Sequence, residues 1–325
     1  MAHASRESQL TVPSIDVIHE AHARIRPYVH RTPVMTSALL DRETGAHLYF
    51  KCEHLQNVGA FKARGACNAV FSLSDLEAAR GVVTHSSGNH GAALARAAAL
   101  RGITAHIVMP RDAPKVKQAA VAGYGARIVL CDPTPVAREE ACAAVQHQTA
   151  ATLVHPYDDY RVIAGAATAA VELLEEVPDL DIVIAPVGGG GLLSGTALVA
   201  KALRPSATVF GAEPSAADDA ARSLRAGRIV KTRANTIADG LRTGLADRTF
   251  GVIHSNVDDI LTVTEEGIVS AYRRLWEILK QVVEPSGGVA FGAVREHGAR
   301  FAGMKVGLIL TGGNVDLDSL PFGAR

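Results

Sequence analysis

Short β-branched runs alternate with longer alanine-rich segments along much of the chain. In order, GVVTHS (81–86) precedes GAALARAAAL (91–100), AHIVMP (105–110) precedes APKVKQAAVAGY (113–124), and ARIVLC (126–131) precedes PVAREEACAAVQHQ (135–148). This alternation is typical of βαβ units with parallel strands. It resumes with DIVIAPV (181–187), ATVFGAEP (207–214) and KVGLILTGG (305–313). The sequence therefore predicts an α/β fold, with ligands expected at the carboxyl ends of the strands.

Length and charge limit the classes of partner. The chain has 325 residues and 48% hydrophobic content, which allows a full core and suggests about two domains. Its 33 basic and 33 acidic side chains cancel and are scattered, so no electrostatic footprint for nucleic acid or anionic lipid is visible. Small metabolites are the expected partners.

The cysteines and the N-terminus favour a reducing compartment. The four cysteines (Cys52, Cys67, Cys131 and Cys142) show no CxxC spacing, and four in a chain of this length are not a disulfide framework. The first ten residues have no apolar core of signal-peptide type, and no stretch approaches the length of apolar chain that crosses a membrane. We expect a cytoplasmic protein that does not insert into a membrane.

Lys62 stands directly after Phe61 in a stretch that is otherwise small and apolar, VGAFKARGACNAV (58–70). Most lysines near apolar surface bury the methylene stem and let the ammonium group reach water, and the stretch alone favours that interpretation. A desolvated lysine, however, has a lowered pKa and can form a Schiff base with an aldehyde cofactor. The rest of the chain decides whether Lys62 is a solvated surface lysine or a Schiff-base lysine.

Four successive glycines, Gly188, Gly189, Gly190 and Gly191, follow the apolar run DIVIA and lead into a helical segment. Such a run lets several backbone N–H groups converge, and the helix adds its positive end, so the loop favours a phosphate. A tight structural turn is the alternative. The chain contains no Gly-Lys dipeptide and no GxSxG motif, which excludes a Walker A loop and the usual serine-hydrolase elbow.

Two further loops follow predicted strands. SSGNHG (86–91) could hold a carboxylate on the amides of Ser86 to His90 at a helix N-terminus, although plain capping by Ser87 or Asn89 is equally compatible. LTGGN (310–314) places the Thr311 hydroxyl at a strand end. A phosphate cradle, a carboxylate cradle and a lysine in apolar surroundings are the three parts that pyridoxal phosphate requires.

These motifs resemble the pyridoxal-phosphate enzymes of fold type II, the tryptophan synthase β-subunit type, in the branch of serine racemase, threonine dehydratase and 3-hydroxyaspartate dehydratase. The resemblance runs over nearly the whole chain, in the family order: RTPV, GAFKARGA, SSGNHG, VHPYDD, VIAG, PVGGGGLLSG, AEPSAADD, TIADG, LTVTEEG, VEPSGGV and LTGGNVD. It implies two domains, a large cofactor-binding domain of residues 1–80 and 158–325 and a small domain of residues 81–157 inserted into it. A homodimer is expected.

The resemblance also assigns the cofactor residues. It implies that Lys62 carries pyridoxal phosphate covalently, that Phe61 lies against the pyridine ring and that Asn89 bonds the ring hydroxyl. The loop Gly188–Gly191 would hold the phosphate, and Thr311 would face the pyridine nitrogen. Ser87 matches the acid/base on the face of the substrate opposite the lysine.

A divalent metal is implied as well. The segment AEPSAADD matches a cation site built from Glu213, the carbonyl of Ala217, and Asp219, and oxygen ligands suit Mg²⁺, with Mn²⁺ or Ca²⁺ as alternatives. Departures from the family pattern occur at three positions: Ala60 and Thr311 replace frequent serines without changing the chemistry, and Gly244 replaces a serine near the substrate. The departure at Gly244 leaves the identity of the substrate open.

The expected function is dehydration of a β-hydroxy amino acid. The sequence favours 3-hydroxyaspartate, because Arg138 aligns with an arginine that reaches toward the site and could grip a second carboxylate. Arg138 could instead pair with Glu139 or Glu140 on its own helix. Serine or threonine dehydration, a serine or aspartate racemase, and a non-catalytic phosphate-metabolite binding protein are the other hypotheses.

Overall fold

A computed structural model describes residues 11–86, 88–113, 115–231 and 233–322. Its strands are β1 (Val34–Met35), β2 (His47–Lys51), β3 (Val82–His85), β4 (Ala105–Pro110), β5 (Arg127–Cys131), β6 (Thr152–Leu153), β7 (Ile182–Pro186), β8 (Thr208–Pro214), β9 (Asp259–Val263) and β10 (Lys305–Ile309).

The α-helices alternate with these strands, as the sequence predicts. They are α1 (Ile15–Ile25), α2 (Ala38–Thr44), α3 (Lys62–Phe71), α4 (Asp75–Ala79), α5 (Asn89–Arg101), α6 (Lys115–Gly123), α7 (Pro135–Thr149), α8 (Tyr160–Glu176), α9 (Gly191–Leu203), α10 (Asp219–Ala226), α11 (Asp247–Asn256), α12 (Glu265–Arg274) and α13 (Pro285–Glu296). A π-helical segment, Leu275–Leu279, follows α12. In the described residues no helix is both long and apolar enough for a membrane span.

The described chain separates into two compact units. The first unit comprises residues 11–29 and 62–165, and the second comprises residues 30–61 and 166–322. The first unit includes α1 and α3 because α1 packs against α3 and α3 against α5. The predicted inserted domain, 81–157, lies wholly within the first unit, and its bounds stay a prediction.

The first unit is built on a parallel sheet with the strand order β5-β4-β3-β6. The chain runs from β3 to β4 to β5 in one direction, and β6 then pairs with the opposite side of β3. The strand order therefore reverses between β3 and β6. Ligands of open α/β sheets bind beyond the carboxyl ends of the strands at such a reversal.

The second unit is built on a sheet with the order β1-β2-β10-β7-β8-β9, in which β1 is antiparallel and the other pairs are parallel. Phe50 of β2 meets Phe291 of α13 edge to face in its core, at a ring distance of 5.7 Å. Here the order reverses between β7 and β10, because β8 and β9 extend on one side and β10 lies on the other. The predicted α/β fold with parallel-rich sheets is confirmed.

Candidate active site

Two helices that follow predicted ligand loops begin after a glycine, whereas five other helices begin after a side chain that caps them. The helices α1, α2, α4, α7 and α12 each begin after a serine or threonine whose side chain accepts a hydrogen bond from the first turn. By contrast, α5 begins after Gly88 and α9 after Gly190. A glycine has no side chain with which to cap, so these two helix starts are suited to an anion.

Lys62 is the first residue of α3, in the first unit. Its half-buried side chain donates a hydrogen bond from Nζ to the carbonyl oxygen of Pro156 at 2.8 Å. Burial lowers the pKa of the Lys62 amine to about 8. About a tenth of such amines are neutral at pH 7, against fewer than about one in a thousand for an ordinary lysine. Lys62 is therefore a competent nucleophile and base near neutral pH.

The loop after β3 forms the second part of the first unit's site. Ser86 Oγ accepts a hydrogen bond from the Gly88 backbone N–H at 3.3 Å, and Asn89 and His90 open α5. A Cβ on Gly91 would lie 2.4 Å from the Ser86 carbonyl oxygen, so the loop closes this tightly only because Gly91 has no side chain. Ser87, the predicted acid/base, lies outside the described residues. The loop is placed at the β3/β6 reversal, where a carboxylate site is expected.

Arg138 lies on α7 and is half-buried. Its Nε atom is buried without a hydrogen-bond partner among the described residues, and no ion pair joins it to Glu139 or Glu140 in that part of the chain. Burial lowers the pKa of His85 and raises the pKa of Cys131, and the charge of Arg138 acts on both of these groups at two strand ends. The alternative of a surface pair along α7 is therefore not supported by the described contacts.

Two other arginines flanking family motifs have hydrogen-bond partners for at least two of their nitrogens, although Arg161 Nη1 is also buried without a partner among the described residues. Arg161 grips Asp159 with two hydrogen bonds, of 3.0 Å from Nε and 2.6 Å from Nη2. Arg242 donates from Nε and Nη2 to the carbonyl oxygen of Thr236, at 2.9 and 2.7 Å. Arg138 is thus the better candidate for a substrate anion.

The glycine loop in the second unit connects β7 to α9. Gly190 has φ of 90°, a conformation that side-chain-bearing residues rarely adopt. A Cβ on Gly188 would lie 2.9 Å from Leu241 Cα, so the loop packs directly on the backbone of the TIADGL segment. The Gly240 N–H donates to Ser286 Oγ at 3.0 Å. The resulting cradle of buried backbone, closed by an uncapped helix start, fits a phosphate.

Phe61 and Thr311 are held together in the second unit. The Phe61 N–H donates to the Thr311 carbonyl oxygen at 3.0 Å, and Ala60 pairs with Gly312 in an isolated bridge. Glu284 stabilises the same turn, because its N–H donates to the Gly312 carbonyl oxygen at 2.9 Å and its Oε2 accepts from the Asn314 N–H at 3.1 Å. Glu284 lies in the motif VEPSGGV, which by itself does not indicate this role.

The predicted metal residues lie at the end of β8. Glu213 is buried and accepts hydrogen bonds from the N–H groups of Ala221 and Ala220, at 2.6 and 3.2 Å. Burial raises the pKa of Glu213 to about 8 and also raises the pKa of Asp219. Within the described ranges no cluster of three or more His, Cys, Asp or Glu side chains is arranged to hold a metal. Glu213, Asp219 and the carbonyl of Ala217 therefore stay a prediction.

Gly244 occupies a specific place beside this pair. A Cβ at Gly244 would lie 3.1 Å from Asp219 Oδ2. A serine at this position would crowd the carboxylate. The room left by Gly244 is thus found next to Asp219.

Each unit, considered separately, contains groups that fit a part of pyridoxal phosphate or of its amino-acid substrate. The first unit supplies a desolvated lysine and a helix start suited to a carboxylate, and the second supplies a buried glycine cradle suited to a phosphate. A family model described as "Pyridoxal-phosphate dependent enzyme" matches residues 25–312. The chain belongs to this family, and its cofactor is pyridoxal phosphate.

Close relatives of known activity include both a racemase and a dehydratase. The chain is 50% identical to serine racemase of Arabidopsis thaliana, with 93% of each chain covered. It is 49% identical to beta-hydroxyaspartate dehydratase of Paracoccus denitrificans, covering 96% of this chain and 99% of that one. The crystal structure of serine racemase from Dictyostelium discoideum superimposes with a TM-score of 0.91 at 49% identity, covering 94% and 99%. The predicted family and the prediction of a pyridoxal-phosphate-dependent enzyme of the lyase class, with racemases among its relatives, are confirmed.

Proposed function

We propose that the protein is a dehydratase that converts 3-hydroxyaspartate to oxaloacetate and ammonia. The observation that carries the proposal is the buried, unpartnered Nε of Arg138 among the described residues. An unsatisfied buried guanidinium nitrogen is costly, so such a group is expected to find an acceptor in the working state. The beta-hydroxyaspartate dehydratase of Paracoccus denitrificans, at 49% identity over nearly its full length, supports the same substrate.

Arg138 suits the second carboxylate of the substrate better than the first. The uncapped start of α5 already offers backbone N–H groups to the α-carboxylate. A guanidinium facing the β-carbon is then best used by an acceptor that serine and threonine lack. Arginine meets a carboxylate with two parallel hydrogen bonds, which adds geometric selectivity to charge.

The chain's own groups supply the proton chemistry. Bound pyridoxal phosphate supplies the electron sink that makes the Cα proton of the substrate acidic. Lys62, with a pKa near 8, is neutral often enough at physiological pH to take that proton as a general base. The β-hydroxyl leaves with a proton as water, and the remaining enamine hydrolyses in solution to the keto acid and ammonia. Ser87 would act on the opposite face of Cα.

Racemisation is the second candidate, favoured by the serine racemase of Arabidopsis thaliana at 50% identity. Both reactions begin with removal of the same Cα proton. Return of a proton from the opposite face before the hydroxyl leaves gives the other enantiomer, and departure of the hydroxyl gives the keto acid. A chiral amino-acid assay run beside a keto-acid assay measures the ratio.

The test is a substrate panel on wild type and Arg138→Ala. We expect a threo or erythro isomer of 3-hydroxyaspartate to have a higher kcat/KM than serine or threonine. Loss of a bidentate partner is worth about 2 to 4 kcal/mol, so Arg138→Ala should penalise the dicarboxylate at least about tenfold more than serine.

Arg111→Ala is the matched control, because Arg111 is an exposed arginine of the same unit that lies 3.8 Å from Asp132. Arg111→Ala should leave kcat/KM unchanged for both 3-hydroxyaspartate and serine. Equal losses on both substrates in Arg138→Ala, or a wild-type preference for serine, would overturn the dicarboxylate assignment. A purified protein with no absorbance of bound cofactor would instead favour the non-catalytic alternative.

A further inference from the structure

The segment from the last residue of β6 onward, residues 153–158, is fixed by side chains that converge on its carbonyl oxygens. The three hydrogen bonds are from Arg161 Nη2 to Leu153 O at 3.3 Å, from His90 Nε2 to Val154 O at 3.2 Å, and from Lys62 Nζ to Pro156 O at 2.8 Å. One of these donors is the proposed reactive lysine, and another opens the helix of the carboxylate loop. The segment lies at the β3/β6 reversal, and nothing above assigns its side chains a function.

His155 projects from this segment with a defined tautomer. Its Nδ1 accepts hydrogen bonds from the backbone N–H groups of Asp158, at 2.9 Å, and Tyr157, at 3.4 Å. A ring nitrogen that accepts carries a lone pair, so in the neutral ring the proton is on Nε2. The ring also meets His85 and Tyr157 edge to face, at 5.6 and 4.6 Å between centroids. The orientation of the Nε2–H group is therefore set by the protein.

That donor is neutral and makes no hydrogen bond with a described residue. Burial lowers the pKa of His155 to about 4, helped by the neighbouring His85 and Lys62 and opposed by Asp158 and Asp159. The ring accordingly stays neutral above about pH 5. A fixed N–H group without an acceptor beside a reactive amine is suited to an oxygen of the ligand.

We infer that His155 is a specificity-determining residue whose Nε2–H donates a hydrogen bond to the distal carboxylate of the substrate. The inference rests on the proposed function. His155 meets His85 edge to face, and Arg138 lies near enough to His85 to act on it electrostatically, so a neutral donor and a charged donor both lie near the carboxyl end of β3. A carboxylate has about four acceptor positions on two oxygens, so it can take both donors. The neutral donor adds selectivity without adding a second positive charge beside Lys62.

Two substitutions separate the donor of His155 from its acceptor. Asn in His155→Asn places Oδ1 where Nδ1 lies, so it keeps the acceptor for the Asp158 N–H and loses the Nε2–H. Gln in His155→Gln reaches toward the Nε2 position with an N–H and gives up the acceptor. We expect His155→Asn to raise KM for 3-hydroxyaspartate on the order of tenfold, with kcat and the serine kinetics changed less than about threefold. His155→Gln should recover most of that KM and lower Tm by about 2 °C.

A direct readout does not depend on turnover. ¹⁵N NMR of the histidine side chains in the holoenzyme should show His155 as the neutral Nε2–H tautomer at pH 7, and addition of succinate, an unreactive dicarboxylate, should shift its Nε2 resonance while acetate does not. A protonated ring, an Nδ1–H tautomer, or no shift with saturating succinate would overturn the inference. So would equal losses on serine and 3-hydroxyaspartate in His155→Asn.

The two proposals fail in different ways. If Arg138→Ala is selective for the dicarboxylate and His155→Asn is not, the proposed function stands and His155 only holds the segment. If wild type prefers serine and succinate still shifts the His155 resonance, the proposed substrate is wrong and a dicarboxylate site remains.

Discussion

One fully buried lysine and one half-buried lysine of this protein each follow a phenylalanine, and they serve different ends. Lys51 ends β2 and is completely buried, and its Nζ donates to Glu172 Oε2 and to the Thr32 carbonyl oxygen, both at 2.6 Å. Lys62 begins α3, and its Nζ donates to a neutral carbonyl oxygen. A carboxylate offsets the desolvation of Lys51, whereas burial lowers the pKa of Lys62 to about 8.

The difference teaches that a carboxylate partner, and not burial alone, separates a structural lysine from a reactive one. An ammonium group with a carboxylate partner is stabilised as a cation and is a poor nucleophile. The same group beside a neutral oxygen loses its proton more readily and becomes both nucleophile and base. The following predictions test this contrast, beginning with the largest expected effect.

Removal of the Lys62 amine should abolish activity. We expect Lys62→Ala to lower kcat/KM by a factor of about 10³ or more, because the nucleophile and the base are lost together. Tm of the cofactor-free protein should change little. Borohydride reduction of the holoenzyme, followed by peptide mass mapping, should place the pyridoxyl adduct on Lys62. An adduct on Lys51 would mean that Lys51, and not Lys62, is the reactive lysine.

Loss of the Lys51 amine should instead destabilise the second unit. Lys51→Met leaves the Glu172 carboxylate buried with its partner missing, which costs about 3 to 5 kcal/mol in the free energy of unfolding. The double variant Lys51→Met/Glu172→Leu removes both charges and should recover most of that loss. Urea unfolding midpoints measure both. A single variant as stable as wild type would show that the ion pair contributes little.

Much of this contrast could be predicted from the sequence, but not all of it. Glycine loops and the apolar strands before them are contiguous, so a local pattern identifies the loops at 86–91 and 188–191. Glu172, by contrast, is 121 residues from Lys51, and no local pattern pairs them. The Pro156 carbonyl that receives Lys62 and the amides that fix the His155 tautomer are backbone groups, which every residue carries. Likewise, Arg138, Arg161 and Arg242 differ only in their hydrogen-bond partners, and those partners are brought to them by the fold.

The pH dependence of Lys62 should show its lowered pKa directly. The neutral amine is the reactive form, so the rate at which the cofactor-free protein binds pyridoxal phosphate covalently should rise about tenfold per unit up to about pH 8 and then level off. Lys51, which is completely buried and paired with Glu172, should stay unlabelled by acetic anhydride over the same range. A midpoint above pH 10 for Lys62 would show that desolvation does not control it.

Glu213 extends the comparison to a buried acid. Its pKa of about 8 lies far above the ordinary value of 4.5, because burial outweighs the two N–H groups that favour the anion. A raised pKa in the folded state means that Glu213 contributes most stability below about pH 4.5 and that this contribution is lost as the pH rises through about 8. Tm of the metal-free protein should therefore fall between about pH 5 and pH 8 and level off above that, and Glu213→Gln should reduce that fall.

A divalent cation would reverse this penalty if Glu213, Asp219 and the Ala217 carbonyl bind it. Since the cation requires the ionised carboxylate, Mg²⁺ should raise Tm by about 5 °C at pH 8.5 and by less at pH 6.5. Glu213→Gln should abolish the rise. Asp218→Asn, which alters the neighbouring carboxylate that pairs with Arg222, should keep it. If exhaustive chelation followed by added Mg²⁺ moves Tm at neither pH, these residues form a buried acidic pair held neutral by desolvation, the counterpart of Lys62 with opposite charge.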